Sequence, residues 1–168
     1  MSKSNDLKKQ AIGMGMCARW ENGWGKPTEA QLVEKYVRGL DFIIKHDWPT
    51  IEYIKGHFDS ALLHEKGVWC DEEVTAPKRS IMVLNGNCTG TLNFSGFEVA
   101  SIYVRHTSNV LINVSNFARV SVSVFDGATV QINGHGANKA FIYPYGDKAN
   151  IIDSGNVVVR PRRNFSSI

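Results

Sequence analysis

The feature that most constrains this chain is a repeat with a step of ten residues in its second half. Eight positions spaced ten apart are all aliphatic or Met, namely Met82, Leu92, Ile102, Ile112, Val122, Ile132, Ile142 and Ile152. Apolar and polar residues alternate around them, which is typical of short strands with one buried face. Gly and Asn recur between these runs, and both tolerate the left-handed backbone angles of turns. A strand of about five residues followed by a turn of about five accounts for the step.

Two architectures can carry such a repeat. In a β-solenoid, successive strands fold over one another, so that the apolar positions close their own core and each coil stacks on the next. In an antiparallel meander, the strands would instead present one broad apolar face that the rest of the chain covers only in part. We expect the solenoid, which we take to be right-handed, and keep the meander as the alternative. Because the first half of the chain has helical patterns, either architecture gives an α+β protein.

Three helical segments are predicted before the repeats. The first begins after a possible N-cap at Ser4. The second covers 28–48 and opens with a capping-box pattern formed by Thr28 and Gln31. The third covers 49–67, with Pro at its start and Gly at its end.

The predicted organisation is therefore a helical cap region over 1–76, β-solenoid repeats over 77–160 and a basic tail over 161–168. An open solenoid end is a template for aggregation unless something covers it. We expect the helical region to supply that cover.

Charge gives little indication of a partner. The net charge is +3, and residues 81–168 hold seven basic and four acidic side chains, whereas residues 1–80 hold twelve of each. The excess equals the three arginines of the RPRR sequence at 160–163. Short basic tails are usually solvated, which argues against nucleic-acid binding. The sequence has no apolar run of the roughly 18 residues that a membrane helix needs, and its start does not resemble a signal peptide, so we expect no membrane association and synthesis in the cytoplasm.

No motif in the sequence points to catalysis. Cys17, Cys70 and Cys88 are odd in number and widely spaced, which favours reduced and mostly buried thiols over a disulfide framework. The candidate ligands for a zinc ion are His57, His64 and Cys70, but the chain lacks the close ligand spacings of known zinc motifs. We therefore predict no catalytic residue, no metal and no cofactor, and we expect that the protein is not an enzyme.

The register of the repeat does predict a surface. If two ten-residue units make one coil, alternate strands stack in the same sheet, and aromatic side chains concentrate on the outer face of one sheet. The predicted binding residues on that face are Tyr103, Arg105, Phe125, Phe141, Tyr143 and Tyr145. Such a face is either a partner interface or a surface that packs against the chain's own helices, and the sequence leaves both open.

Four sequence stretches, together with the step of ten, carry a resemblance to known proteins. They are CARW at 17–20, YVRGLDFIIKHDWPTIEYIKGHF at 36–58, LNGNCTG at 84–90 and YVRH at 103–106. In these the chain resembles a group of small proteins encoded by phages and prophages of Bacteroidales. The resemblance implies a phage or prophage origin and a β-solenoid second half, and it transfers no catalytic residue.

We accordingly expect a structural or interaction protein of a phage, associated with the virion, that binds itself or other phage proteins. Its expected location is the virion or the host cytoplasm. The alternative is an intracellular binding module or host-directed inhibitor that recognises a protein or a carbohydrate.

Overall fold

A computed structural model describes residues 2–75 and 77–165 of the chain. Six helices come first: α1 (Lys3–Gly13), α2 (Ala18–Asn22), α3 (Glu29–Arg38), α4 (Leu40–His46), α5 (Ile51–His57) and α6 (Ser60–Glu65). The strands follow: β1 (Val68–Cys70), β2 (Ile81–Asn85), β3 (Thr89–Phe94), β4 (Val99–Val104), β5 (Asn109–Val114), β6 (Arg119–Val124), β7 (Thr129–Gly134), β8 (Lys139–Pro144), β9 (Asn150–Gly155) and β10 (Val157–Val159).

The strands form two parallel sheets. The larger has the order β1-β2-β4-β6-β8-β10, and the smaller has the order β3-β5-β7-β9. From β2 onward, successive strands alternate between the sheets, and partner residues in the middle coils lie twenty apart, as Ile102 and Val122 do. Two ten-residue units therefore make one coil. The α+β β-solenoid is confirmed, with roughly four turns, and the antiparallel meander is wrong because every named strand pair is parallel.

The inward side chains of both sheets form one apolar core. Six members of the ten-step series are at most 1% exposed in it, namely Met82, Ile102, Ile112, Val122, Ile132 and Ile142. Burial of a Val or Ile side chain contributes about 1.5–3 kcal/mol relative to exposure. Stacking such residues coil upon coil is what stabilises a solenoid of short strands.

The ten-step series fails at its last member. Strand β9 pairs with β7 so that Asn150 lies opposite Thr129, an offset of twenty-one residues rather than twenty. Ile152 consequently lies opposite the outward Gln131 and is 52% exposed, while Ile151 packs against the core. The prediction that Ile152 is a core residue is thus wrong, because the turn before β9 contains one extra residue.

Left-handed residues recur at equivalent positions of the turns. At one edge of the solenoid they are His106 (φ 60°), Asp126 (φ 57°) and Gly146 (φ 78°). At the other edge they are Gly96 (φ 63°), Asn116 (φ 56°) and Gly136 (φ 75°). The Gly, Asn and Asp content of the turns therefore has the predicted cause, since these residues enter the left-handed region at low cost.

Helix starts follow the sequence signals in part. The capping box is confirmed: the Gln31 amide donates to Thr28 Oγ1 at 3.3 Å, and the Thr28 amide donates to Gln31 Oε1 at 2.9 Å. Helix α1, however, is capped by Ser2 and not by Ser4. The Ser4 hydroxyl instead accepts a hydrogen bond from Trp24 Nε1 at 3.0 Å.

Each of the two longer predicted helices is divided in two. The segment 28–48 breaks at Gly39, which ends α3 and precedes α4. The segment 49–67 breaks at Phe58, whose backbone is extended, and Asp59 then caps α6 by accepting from the Leu62 amide at 3.1 Å. Apolar residues keep a helical spacing across both breaks, which is why periodicity alone did not reveal them.

The helices pack on the outer face of the first strands of the larger sheet, where Val68 and Val83 lie in one apolar cluster with helix residues while Met82 and Leu84 lie in the solenoid core. Strand β1 pairs with β2 and contacts α5 and α6, although its residues fall in the region predicted as helical cap. Gly67 joins α6 to β1 with φ 83°, and a Cβ atom there would lie 2.1 Å from the Ile81 carbonyl oxygen. Only glycine therefore allows the helix to approach the sheet this closely.

Candidate binding face of the solenoid

The outer face of the larger sheet carries all six predicted binding residues. Strand pairing arranges its later coils in three rows, which are Ser101, Ser121, Phe141 and Val158; Tyr103, Ser123, Tyr143 and Arg160; and Arg105, Phe125, Tyr145 and Arg162. The predicted grouping of aromatic residues on one face is therefore present. The rows differ in how much of each side chain the rest of the protein covers.

Arg105 contacts the helices and is only 3% exposed. Its Nη2 atom donates to Asp47 Oδ1 at 2.8 Å, and its Nη1 atom donates to Asn85 Oδ1 at 3.2 Å. The Tyr36 hydroxyl donates to the same Asn85 oxygen at 3.0 Å. Arg105 was predicted to bind a partner, but the structure buries it where the corner between α4 and α5 meets the solenoid.

Two pKa shifts accompany this contact. Partial burial raises the pKa of Asp47, but hydrogen bonds and charges from His106 and Arg105 outweigh that effect and hold it below its ordinary value. Burial raises the pKa of Tyr36 to about 12, although the charge of Arg105 opposes the rise. The carboxylate is therefore an anion at neutral pH, and the phenol remains a hydrogen-bond donor.

Phe125 is covered by the side chain of Phe165. It is 4% exposed and stacks on Tyr145, with ring centroids 4.6 Å apart. Phe165 meets Tyr103, Phe125 and Tyr145 edge to face at centroid distances of 5.9, 5.1 and 5.5 Å. We call these four residues the aromatic box. Like Arg105, Phe125 was predicted as a binding residue and is buried by the chain itself.

The remaining two predicted residues lie beside arginines. Phe141 and Tyr143 are half-buried, and the Arg160 and Arg162 guanidinium carbons lie 5.2 and 5.3 Å from their respective ring centroids. The Arg160 and Arg162 amides donate to the Ile142 and Pro144 carbonyls at 2.8 and 2.9 Å. The RPRR sequence thus continues β10 along β8 and is not a free tail. We call Phe141, Tyr143, Arg160 and Arg162 the aromatic–arginine face.

Two further cationic residues lie on the same sheet. Arg119 and Lys139 pair in register at the start of β6 and β8, and both are exposed. The second half holds seven basic and four acidic side chains, and the seven include Arg160 and Arg162 of the face as well as the buried Arg105. Exposed arginines over aromatic rings favour an anionic binding partner.

One exposed feature was missed by the sequence reasoning. Phe97 and Phe117 are 84% and 56% exposed, and their rings stack with centroids 5.4 Å apart. Both residues lie in turns between strands. Their separation of twenty residues, which is one full coil, was the available signal.

The cysteines and histidines do not come together. Cys17 is exposed, whereas Cys70 and Cys88 are buried, and burial raises the pKa of the Cys70 thiol to about 12. His57 Nδ1 lies 2.9 Å from the Tyr53 carbonyl oxygen, and His64 Nε2 lies 3.0 Å from Glu72 Oε1. In residues 2–75 and 77–165, no three metal-ligating side chains converge.

Comparisons with protein families, with curated proteins and with solved structures give no match. Within the described ranges, no helix is long and apolar enough to cross a membrane. The geometry of the solenoid face is therefore the main indication of function.

Proposed function

We propose that this protein is a non-enzymatic interaction protein that binds an acidic protein surface through its aromatic–arginine face. The observation that carries the proposal is the placement of Arg160 and Arg162 over Phe141 and Tyr143 on exposed strands. Aromatic residues and Arg are enriched in protein interfaces and are frequent among the residues that dominate binding energy.

The geometry suits carboxylate recognition in particular. A guanidinium group can donate two parallel hydrogen bonds to one carboxylate. An Arg side chain that already stacks on a ring has fewer conformations to lose when it binds. Hydrogen bonds from the Arg160 and Arg162 amides fix the backbone beneath both side chains. The face is therefore organised before a partner arrives, which lowers the entropic cost of association.

The proposed setting is a phage particle. This origin is inferred only from the sequence stretches that were expected to resemble Bacteroidales phage and prophage proteins. We propose that the partner is another protein of the particle, so that the chain is a virion component. Self-association, binding of a host protein and binding of nucleic acid are the competing outcomes that the experiment must separate.

Mass spectrometry of purified virions tests the proposal. We expect the protein in a fixed ratio to the major capsid protein across independent preparations. Its absence from virions, with presence in the infected host cytoplasm, would instead favour the host-directed inhibitor. Sedimentation velocity of the purified protein and titration with duplex DNA at physiological salt complete the test. If the protein forms a stable oligomer with itself and is absent from virions, or if it binds DNA tightly, the proposal of a virion-protein partner is contradicted.

A further inference from the structure

The helical cap region contains a cavity of about 250 Å³ that the solenoid face does not involve. Its floor consists of buried side chains from several helices, among them Leu32, Val33 and Ile43. Its mouth includes the exposed Cys17, in the loop before α2, and the half-buried Gly39 between α3 and α4. The cavity is partly open to solvent, so a small molecule can reach it from outside.

The walls of the cavity are aromatic and apolar. Trp20, Trp24, Phe42 and Trp48 line it. Trp24 Nε1 donates to Ser4 Oγ at 3.0 Å and Trp48 Nε1 donates to Gln10 Oε1 at 2.8 Å. The polar atoms of these two indoles are thus engaged elsewhere, which leaves carbon surface for the cavity.

Size and polarity together point to an apolar occupant. Water filling this space would number about eight molecules at about 30 Å³ each, and a water needs two to four polar partners to be well held. Apolar cavities of about 150 Å³ already take up benzene. A flat molecule with one or two rings fits the available volume, and aromatic walls favour planar rings through stacked and edge-to-face contacts.

One cationic group stands at the mouth. Lys35 Nζ lies 5.6 Å from the ring centroid of Trp20 and 5.5 Å from that of Trp24, and it donates to the Gly23 carbonyl at 3.2 Å. In the described part of the chain, Lys35 forms no ion pair, unlike Lys3, Lys55, Lys66 and Lys78. Asp41 also lines the cavity and is exposed, so a ligand with several negative charges would be repelled.

We propose that this cavity binds a planar aromatic monocarboxylate, with its rings between the tryptophans and its carboxylate at Lys35. The site does not depend on the function proposed for the aromatic–arginine face. It lies in the helices, and it concerns a small molecule rather than a protein.

The test uses indole-3-acetate and its neutral counterpart indole-3-acetamide as probes, with isothermal titration calorimetry on the full chain. We expect saturable binding at one site, with the acetate at least tenfold tighter than the amide. Lys35→Met keeps an apolar chain over the rings and removes the charge, so it should abolish the difference between the probes. Lys45→Met, an exposed site on α4 that does not line the cavity, is the matched control and should change nothing.

Two further measurements locate the site. Gly39→Leu should block the mouth and weaken both probes at least tenfold, because the added side chain would lie against Trp20. In the unaltered protein, indole-3-acetate should slow alkylation of Cys17 by iodoacetamide with the same midpoint as the calorimetric titration. Absence of saturable binding, equal affinity for the two probes, or binding that leaves Cys17 alkylation unchanged would each overturn the proposal, even if Gly39→Leu fails to fold.

Discussion

Arg105 donates a hydrogen bond to Asp47 Oδ1 at 2.8 Å, and these residues come from the solenoid and from the corner between α4 and α5. His106 Nε2 lies 2.8 Å from the same oxygen. One carboxylate thus connects two consecutive solenoid residues to the helices. Because Arg105 is nearly fully buried and also donates to Asn85, its loss would remove two hydrogen bonds from a charged donor, although Asn85 would keep the Tyr36 hydroxyl and Asp47 would keep His106.

Replacing Arg105 with Met tests the importance of this contact. We expect Arg105→Met to lower the free energy of unfolding by about 2 kcal/mol, since hydrogen bonds to charged groups are worth about 1.5–3 kcal/mol. Arg119→Met, at an exposed position of the same sheet, should change it by less than about 0.5 kcal/mol. Urea unfolding followed by circular dichroism measures both, and equal effects would show that Arg105 has no special role.

Asp47→Asn should give a pH-dependent loss of stability. The folded-state pKa of Asp47 lies below its ordinary value of 3.8, so the ionised carboxylate stabilises the fold above that pH. As the pH falls through the folded-state pKa, Asp47 takes up a proton and the contribution disappears. Asn retains the left-handed backbone at this position, where φ is 47°, and removes only the charge.

The difference in unfolding free energy between wild type and Asp47→Asn should therefore be present above pH 3.8 and shrink as the pH falls below that value. Denaturant titrations at several pH values from 7 to 2 measure it. A difference that stays constant over this range, or grows at low pH, would rule out the charge as the cause.

Two aromatic residues that the sequence placed on one binding face should respond differently to Ser. Phe125→Ser removes a buried ring from the aromatic box, and we expect a loss of about 3 kcal/mol or more. Tyr143→Ser removes a half-exposed ring, so the loss should stay below about 1 kcal/mol. Thermal unfolding of the two variants compares them directly. A smaller loss for Phe125→Ser than for Tyr143→Ser would contradict the packing of Phe165 over Phe125.

The register of the last coil provides a matched pair of substitutions. Ile132 and Ile152 both belong to the ten-step series, but Ile132 is fully buried and Ile152 is 52% exposed. We expect Ile132→Asp to unfold the solenoid, because it buries an unpaired carboxylate. Ile152→Asp should be tolerated, and so should Ser121→Asp at an outward position. Solubility and cooperative unfolding distinguish the outcomes. If both Ile132→Asp and Ile152→Asp unfold, the ten-residue step continues without interruption to Ile152. If both fold, Ile132 does not lie in the core.

The sequence predicted the coil well because alternation and a fixed step report directly on inward and outward positions. It could not predict the break at Ile152, since Ile151 and Ile152 are adjacent and the ten-step position still holds an Ile after the extra turn residue has shifted the register. It also placed the six predicted binding residues on one sheet face, which the strand pairing shows, but it did not show that Arg105 and Phe125 are covered. Their cover comes from Asp47 and Phe165, which are remote in sequence, and single-sequence patterns carry no information on such contacts.

Incorporation into virions is the most direct test of the central claim that the aromatic–arginine face binds an acidic partner in the particle. The phage would carry wild type, the double variant Arg160→Gln with Arg162→Gln, or the control Lys9→Gln with Lys45→Gln. The control removes the same charge from exposed positions of the helices. With all three chains folded, we expect mass spectrometry to find wild type and control in virions and the arginine variant reduced at least tenfold. Equal incorporation of all three, or equal loss of both variants, would contradict the claim.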